Sequence, residues 1–183
     1  SASNAPQKGP AIYLPESSTF TPSSISLIDF NLFIFLHSNN NVNDYNQGMT
    51  DQEIPEGFKE LKIPQPHIEN LGPGYYKKEK EELFMIFFAK KEHSNFYESA
   101  HGGALMALAD FCMTSSMMKD RNSLVTTVSF HTEFIAPAPI GSMLLIRCRA
   151  TKIGKSLGFS EGDITSDGKL IITFGGVGRI LKS

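Results

Sequence analysis

At 183 residues with 40% hydrophobic side chains, 14 Phe and no Trp, the chain is long enough for one packed domain with an extension. Its 17 Lys and Arg against 19 Asp and Glu give a formal net charge of −2, which supplies no general attraction to nucleic acid, so a nucleic-acid partner is not expected. Cys112 and Cys148 both fall in apolar segments and read as free core thiols of a reducing compartment, the cytoplasm or an organelle matrix.

Residues 1–54 are dominated by Pro, Ser, Thr and Asn, include the run Asn39-Asn40-Asn41, and carry Lys8 as their single Lys or Arg. That composition predicts an irregular N-terminal extension ahead of a domain over residues 55–183. Within the extension, Ile25 to Leu36 is apolar enough to dock on the domain or on a partner. About a dozen residues with Asp29 and Asn31 among them fall short of the roughly 20 that span a membrane. The segment also lacks the basic stretch that opens a secretory signal.

From Pro55 to Leu71 the pattern allows one or two short helices, with Pro64 and Pro66 breaking any long one. Leu83 to Lys90 is a short apolar run suited to the first core strand. A helix follows from about Gly103 to Lys119, its apolar side chains spread around the wheel, which describes a helix covered on most sides. Strands are expected over Leu124–Phe134, Ser142–Lys152, Leu157–Thr165 and Leu170–Leu181, the last two joined by the hairpin signal Asp167-Gly168. In the first of these, alternation puts Val128, Phe130 and Phe134 on one side and Thr127, Ser129 and His131 on the other.

The chemistry is concentrated between Asn95 and Asp110. Gly102 and Gly103 accept backbone angles closed to other residues and suit a sharp turn into the helix, whose first N–H groups lack internal partners and form a natural oxyanion hole. Asp110 lies within the apolar surface of that helix. A buried, unpaired carboxylate resists ionisation and is a candidate general base or nucleophile; a carboxylate facing solvent or capping a loop is the alternative. His101 reads as a positioning residue that hydrogen-bonds backbone and fixes the Gly-Gly turn, because a catalytic base would need a nucleophile beside it. Asn95 closes Asx-turns readily. The five histidines are dispersed and no Cys/His cluster has ligand spacing, so no metal is expected.

The full pattern, Asn95-x5-His101-Gly102-Gly103-x6-Asp110 followed by a strand and the Ala136-Pro-Ala-Pro-Ile-Gly141 turn, resembles the hotdog-fold acyl-CoA thioesterases of the phenylacetyl-CoA thioesterase type. The resemblance runs from about Phe58 to Leu181. It implies an α+β hotdog fold, in which an antiparallel sheet wraps a long central helix, and a homodimer, often paired into a homotetramer. It implies hydrolysis of an acyl-CoA thioester, with coenzyme A entering as part of the substrate and no other cofactor. The Gly102 N–H would stabilise the oxyanion, Asp110 would act as base or nucleophile, and Asn95 would orient the thioester or water. The family also places a hydroxyl on the strand after the helix, and the register counted back from Pro137 points to Thr127, with Ser129 as the fallback.

Gly102 and Asp110 are eight residues apart, hence roughly 12 Å apart along one helix. One thioester carbonyl cannot touch both, so a two-fold axis would have to bring the partner's Asp110 to Gly102 and create two shared sites. Gly103 and Ser129 join the expected substrate-binding set. So do Lys152, Lys155 and Ser156, in a Gly-containing turn that could meet the coenzyme A phosphates or be a solvated charged turn; Arg147 and Arg149, on one strand face, carry the same ambiguity. Where the family usually has Gly, this chain has Glu98, which cannot copy a positive φ without cost, so a reshaped loop is expected there. Two other readings stand: a hotdog protein that binds acyl-CoA without turning it over, which would not need Asp110, and a hydratase, for which no His follows Asp110 before His131.

Overall fold

The computed structural model describes residues 54–62, 64–118 and 123–181. The expected extension, Ile54 aside, and the expected helix end at Lys119 lie outside the described residues. In chain order the elements are β1 (Lys59–Glu60), α1 (Pro66–Leu71), β2 (Tyr75–Glu79), β3 (Glu82–Phe88), a 3-10 turn at Lys91–His93, α2 (Gly102–Ser116), β4 (Leu124–Phe134), β5 (Met143–Ile153), β6 (Leu157–Ser166) and β7 (Lys169–Leu181). Among the described residues the strands form one antiparallel sheet in the order β1-β2-β3-β5-β6-β7-β4, with β4 at an edge. No described helix is long and apolar enough to cross a membrane.

Helix α2 lies on one face of this sheet, where Leu105, Leu108, Ala109, Cys112 and Met113 pack with Phe87, Leu144, Ile146, Ile164, Ile172 and Phe174. Over β5 and β6 the opposite face carries charged side chains. There Arg147 pairs with Asp163 at 2.8 Å and Arg149 with Glu161 at 2.6 Å across β5 and β6. The pairing with Asp163 raises the Arg147 guanidinium further above its ordinary value. Both arginine charges are therefore already matched within the sheet. Cys112 and Cys148 are free and buried between helix and sheet. Burial pushes the Cys112 thiol well up, whereas the hydrogen bond from Cys112 draws Cys148 down.

The helix sits close because β6 and β7 carry glycines beneath it. A Cβ on Gly158 or Gly178 would come within 2.9 or 2.8 Å of the Met117 sulfur, and one on Gly176 within 2.8 Å of the Met113 sulfur. These residues supply the absence of a side chain rather than an unusual backbone angle, since none of the three has a positive φ.

The sheet corrects two expectations, and the short helix α1 agrees with a third. Among the described residues between Pro55 and Leu71 one short helix forms, Pro66–Leu71, as the pattern allowed, and Pro66 stands at its start, where its missing N–H breaks nothing. Strand β2, Tyr-Tyr-Lys-Lys-Glu, is too polar to announce itself, and its turn into β3 uses Lys80 at φ 51° in place of a glycine signal. Leu83–Lys90 is thus not the first strand of the sheet but the partner of both β2 and β5. The second correction concerns β4. Its register against β7 shifts between Thr127 and Ser129, so Val128 is an extra residue in a β-bulge. Thr127 therefore joins Val125, Phe130 and Phe134 on the helix side, while Val128 is 60% exposed.

Close packing at β7 makes a simple prediction. Gly178→Ala puts a methyl 2.5 Å from Val125 Cγ1 as well as against Met117, and urea unfolding should register a loss of about 1–3 kcal/mol, the usual range for overpacking.

Candidate active site

The loop ahead of α2 is a closed hairpin. Asn95 N–H donates to the Ser99 carbonyl at 2.8 Å, Ala100 N–H to the Ala138 carbonyl at 2.8 Å and His101 N–H to the His93 carbonyl at 2.7 Å. Burial holds the partly covered His93 imidazole below its ordinary value, aided by Lys90 and opposed by Glu92. The Asn95 Oδ1 accepts from Tyr97 N–H (2.8 Å), Ser99 N–H (3.3 Å) and Ser99 Oγ (3.2 Å), so the Asx-turn is the bond pattern observed. With its carbonyl saturated, Asn95 has only its amide NH2 left to offer a ligand. Glu98 takes φ 54° within this turn. The loop is not reshaped to spare the glutamate; it holds Glu98 in the left-handed region that a glycine would occupy more cheaply.

Helix α2 starts at Gly102, capped by His101. The imidazole Nδ1 accepts from the Gly103 N–H at 2.9 Å, which leaves the proton of the neutral ring on Nε2. The Ala104 and Leu105 N–H groups donate to the His101 carbonyl. Of the first helical donors, the Gly102 N–H alone has no partner among the described residues. The two glycines do not adopt the backbone angles expected of them, as neither has a positive φ. They are instead demanded by close neighbours. A Cβ on Gly103 would lie 3.0 Å from the capping nitrogen of His101, and one on Gly102 would lie 3.1 Å from the ring of Phe134.

Beside Gly102 opens a cavity of about 560 Å³ bounded by Asn95, Tyr97, Ser99, Leu105, Phe134 and the Ile135–Ala138 segment. Asn95 and Gly102 thus share one cavity. Phe134 and the Ile135–Ala138 segment were missed as site residues, because alternation assigned Phe134 to an ordinary packing side and the Ala-Pro-Ala-Pro run reads as a turn.

Asp110 is two helical turns away and does not line that cavity. It is neither fully buried nor unpaired, contrary to expectation: it is partly exposed, and Thr127 Oγ1 donates to its Oδ1 at 2.5 Å. The bulge at Val128 aims Thr127 at the helix. Oδ2 keeps no partner among the described residues. Ser129 is exposed and makes no bond to Asp110. Lys152, Lys155 and Ser156 are exposed around the β5–β6 turn, which lies next to the Thr127 end of the sheet: Ile153 pairs with Gly158, Gly158 with Gly178, and Gly178 with Thr127. Within one chain the expected site residues therefore fall into two groups, Asn95, His101, Gly102 and Gly103 at the start of α2, and Asp110 near its middle with Thr127 and, beyond it, the lysine turn. Among the described residues no three His, Cys, Asp or Glu are grouped to hold a metal ion.

Residues 97–172, from the loop ahead of α2 into β7, match the model of the thioesterase superfamily. Mouse acyl-coenzyme A thioesterase 13 is 31% identical over 94 residues, which cover 50% of this chain and 67% of that protein. The chain belongs to the thioesterase superfamily. A Pseudomonas aeruginosa protein named as an esterase is similar to this thioesterase at 28% identity over 68% of this chain and 95% of that protein. The Escherichia coli PaaI protein of the phenylacetic acid degradation operon shares its fold with a TM-score of 0.60 and 16% identity, over 78% of this chain and 94% of that one. The fold is accordingly the α+β hotdog fold, and the reaction class is thioester hydrolysis.

Two substitutions separate the loop's needs. Asn95→Ala removes an acceptor of three hydrogen bonds and should lower unfolding stability by about 1–3 kcal/mol, whereas Asn95→Asp keeps the acceptor and should stay within about 0.5 kcal/mol in a urea melt. Glu98→Gly relieves a left-handed residue, and its midpoint should rise by the equivalent of about 0.5–1 kcal/mol with an unchanged slope.

Proposed function

We propose that this thioesterase hydrolyses acyl-coenzyme A thioesters at sites shared between two protomers. One observation carries the reading. Both halves of the machinery are tied to the same exposed edge strand, Gly102 through its contact with Phe134 and Asp110 through its bond to Thr127. An edge strand offers unpaired backbone groups to a second copy of itself. If two β4 strands pair antiparallel about an axis between Phe130 and His131, the partner's Thr127 comes opposite Phe134, and with it the partner's Asp110 comes toward Gly102. Helix α2 supports such a pairing. Its Gly103–Met106–Ala107–Asp110 stripe is less covered than the rest of the helix, with Met106 39% exposed.

In the shared site the Gly102 N–H, at the positive end of α2, stabilises the charge that develops on the thioester oxygen. The Asn95 amide is a second donor lining the same cavity. The partner's Asp110 activates water or attacks the carbonyl, its free Oδ2 directed by the Thr127 hydroxyl on Oδ1. The partner's lysine turn then arrives on the same side as the partner's Asp110, where it can meet the phosphates of the departing coenzyme A. The name of the mouse relative, an acyl-coenzyme A thioesterase, supports coenzyme A as the thiol.

Free-thiol release from an acyl-CoA panel tests the activity, and Asp110→Asn should lower turnover by about 10²–10⁴-fold, the range for a general base. Sharing has its own signature. Gly102→Val, which closes the cavity at Phe134, and Asp110→Asn should each be inactive alone, yet equal co-expression should recover about a quarter of wild-type activity from mixed dimers holding one intact site. Mixed protomers no more active than their parents would sink the shared site.

A further inference from the structure

We propose that Phe134 is the specificity-determining residue of the acyl pocket, admitting thioesters unbranched next to the carbonyl and rejecting those with a substituent at the α-carbon. The proposal rests on the thioesterase reading and goes beyond it.

Phe134 crowds the position that a side chain on Gly102 would take, with Cε1 and Cζ both 3.1 Å from an ideal Cβ. Gly102 also holds the uncommitted N–H. A carbonyl oxygen bonded to that N–H at about 2.9 Å brings the acyl α-carbon into the part of the cavity bounded by the ring. An unbranched chain can run along the ring face. A methyl or larger group on the α-carbon meets the same obstruction that a methyl on Gly102 would meet.

The rest of the wall is less restrictive. It includes Ala100, Ala136, Pro137 and Ala138, whose small or rigid side chains leave Phe134 as the large group nearest Gly102. Phe134 is 53% exposed and its neighbour Ile135 57%, so apolar surface faces the open cavity instead of the core. An apolar acyl group covering that surface removes it from water. Gly102 is then glycine for a reason independent of its backbone angle, which alanine could adopt: a Cβ there would press on the ring at 3.1 Å and displace it by a few tenths of an ångström.

The test compares kcat/KM for butyryl-, hexanoyl-, isobutyryl- and 2-methylhexanoyl-CoA in the full-length wild type, Phe134→Ala, Gly102→Ala and the double variant, each checked by its thermal unfolding midpoint. Phe134 is half exposed, so its truncation leaves the core packing in place. The straight-to-branched preference should fall by at least about 10-fold in Phe134→Ala, the scale at which one methyl is discriminated in an apolar pocket. Gly102→Ala, which keeps the N–H but presses its methyl on the ring, should lose at least about 10-fold on the straight-chain thioesters and recover most of that loss when combined with Phe134→Ala. A folded, active Phe134→Ala with an unchanged straight-to-branched ratio, or a double variant no better than Gly102→Ala, overturns the role of Phe134 and leaves thioester hydrolysis standing. A wild type that releases thiol from none of the four sinks both readings together.

Discussion

The distance between helix α2 and the sheet is the constraint on which the molecule depends, and it is set by side chains that are missing. Glycines at 158, 176 and 178 leave room for Met113 and Met117, and glycines at 102 and 103 leave room for the rings of Phe134 and His101. Because protein interiors are close-packed, a helix held this tightly has almost no freedom to slide or rotate. Its first N–H and its one carboxylate are thereby fixed relative to β4, although they lie two helical turns apart, one at the start of the helix and the other near its middle. Glycine here acts less through its own flexibility than through the approach it permits.

The β-bulge at Val128 is the second device. A strand with strict alternation would carry either Thr127 or Phe130 toward the helix, not both. One extra residue puts Thr127 against Asp110 and still lets Phe130 stack on Phe174, with ring centroids 6.2 Å apart, and Phe134 rest on Gly102. The irregularity thus joins polar chemistry to apolar packing on one face of one strand. It also falls on the exposed edge, where a bulge increases local twist and limits unselective pairing.

The loop before α2 divides its labour in the same way. Asn95 uses its carbonyl to close the turn and keeps its amide for the cavity, and His101 uses one ring nitrogen as a cap, which withdraws Gly103 from competition and leaves Gly102 as the donor on offer. Glu98 at positive φ shows that the hairpin's own bonds outweigh a local penalty of about 1–2 kcal/mol. Satisfying the helix end internally, all but one donor, is what turns a generic helix N-terminus into a directed one.

Much of this was legible in the residues alone. The spacing from Asn95 to Asp110 identified the entrance of α2 and the carboxylate within it, the apolar runs located β4 to β7 within one or two residues, and the eight-residue separation already said that a single chain could not bring Gly102 and Asp110 together. Those are local or periodic properties, fixed by helical rise and strand alternation. The sequence could not reveal the bulge, because an inserted residue looks like any other until a neighbouring strand fails to pair with it. Nor could it reveal β2, whose polar side chains suit an outer strand as well as a loop, or the role of Phe134, whose contact with Gly102 joins residues 32 positions apart. Sequence determined which groups are present and at what spacing along each element. Tertiary structure alone decided which of them touch, since contact depends on register, and register is a property of two strands rather than of one.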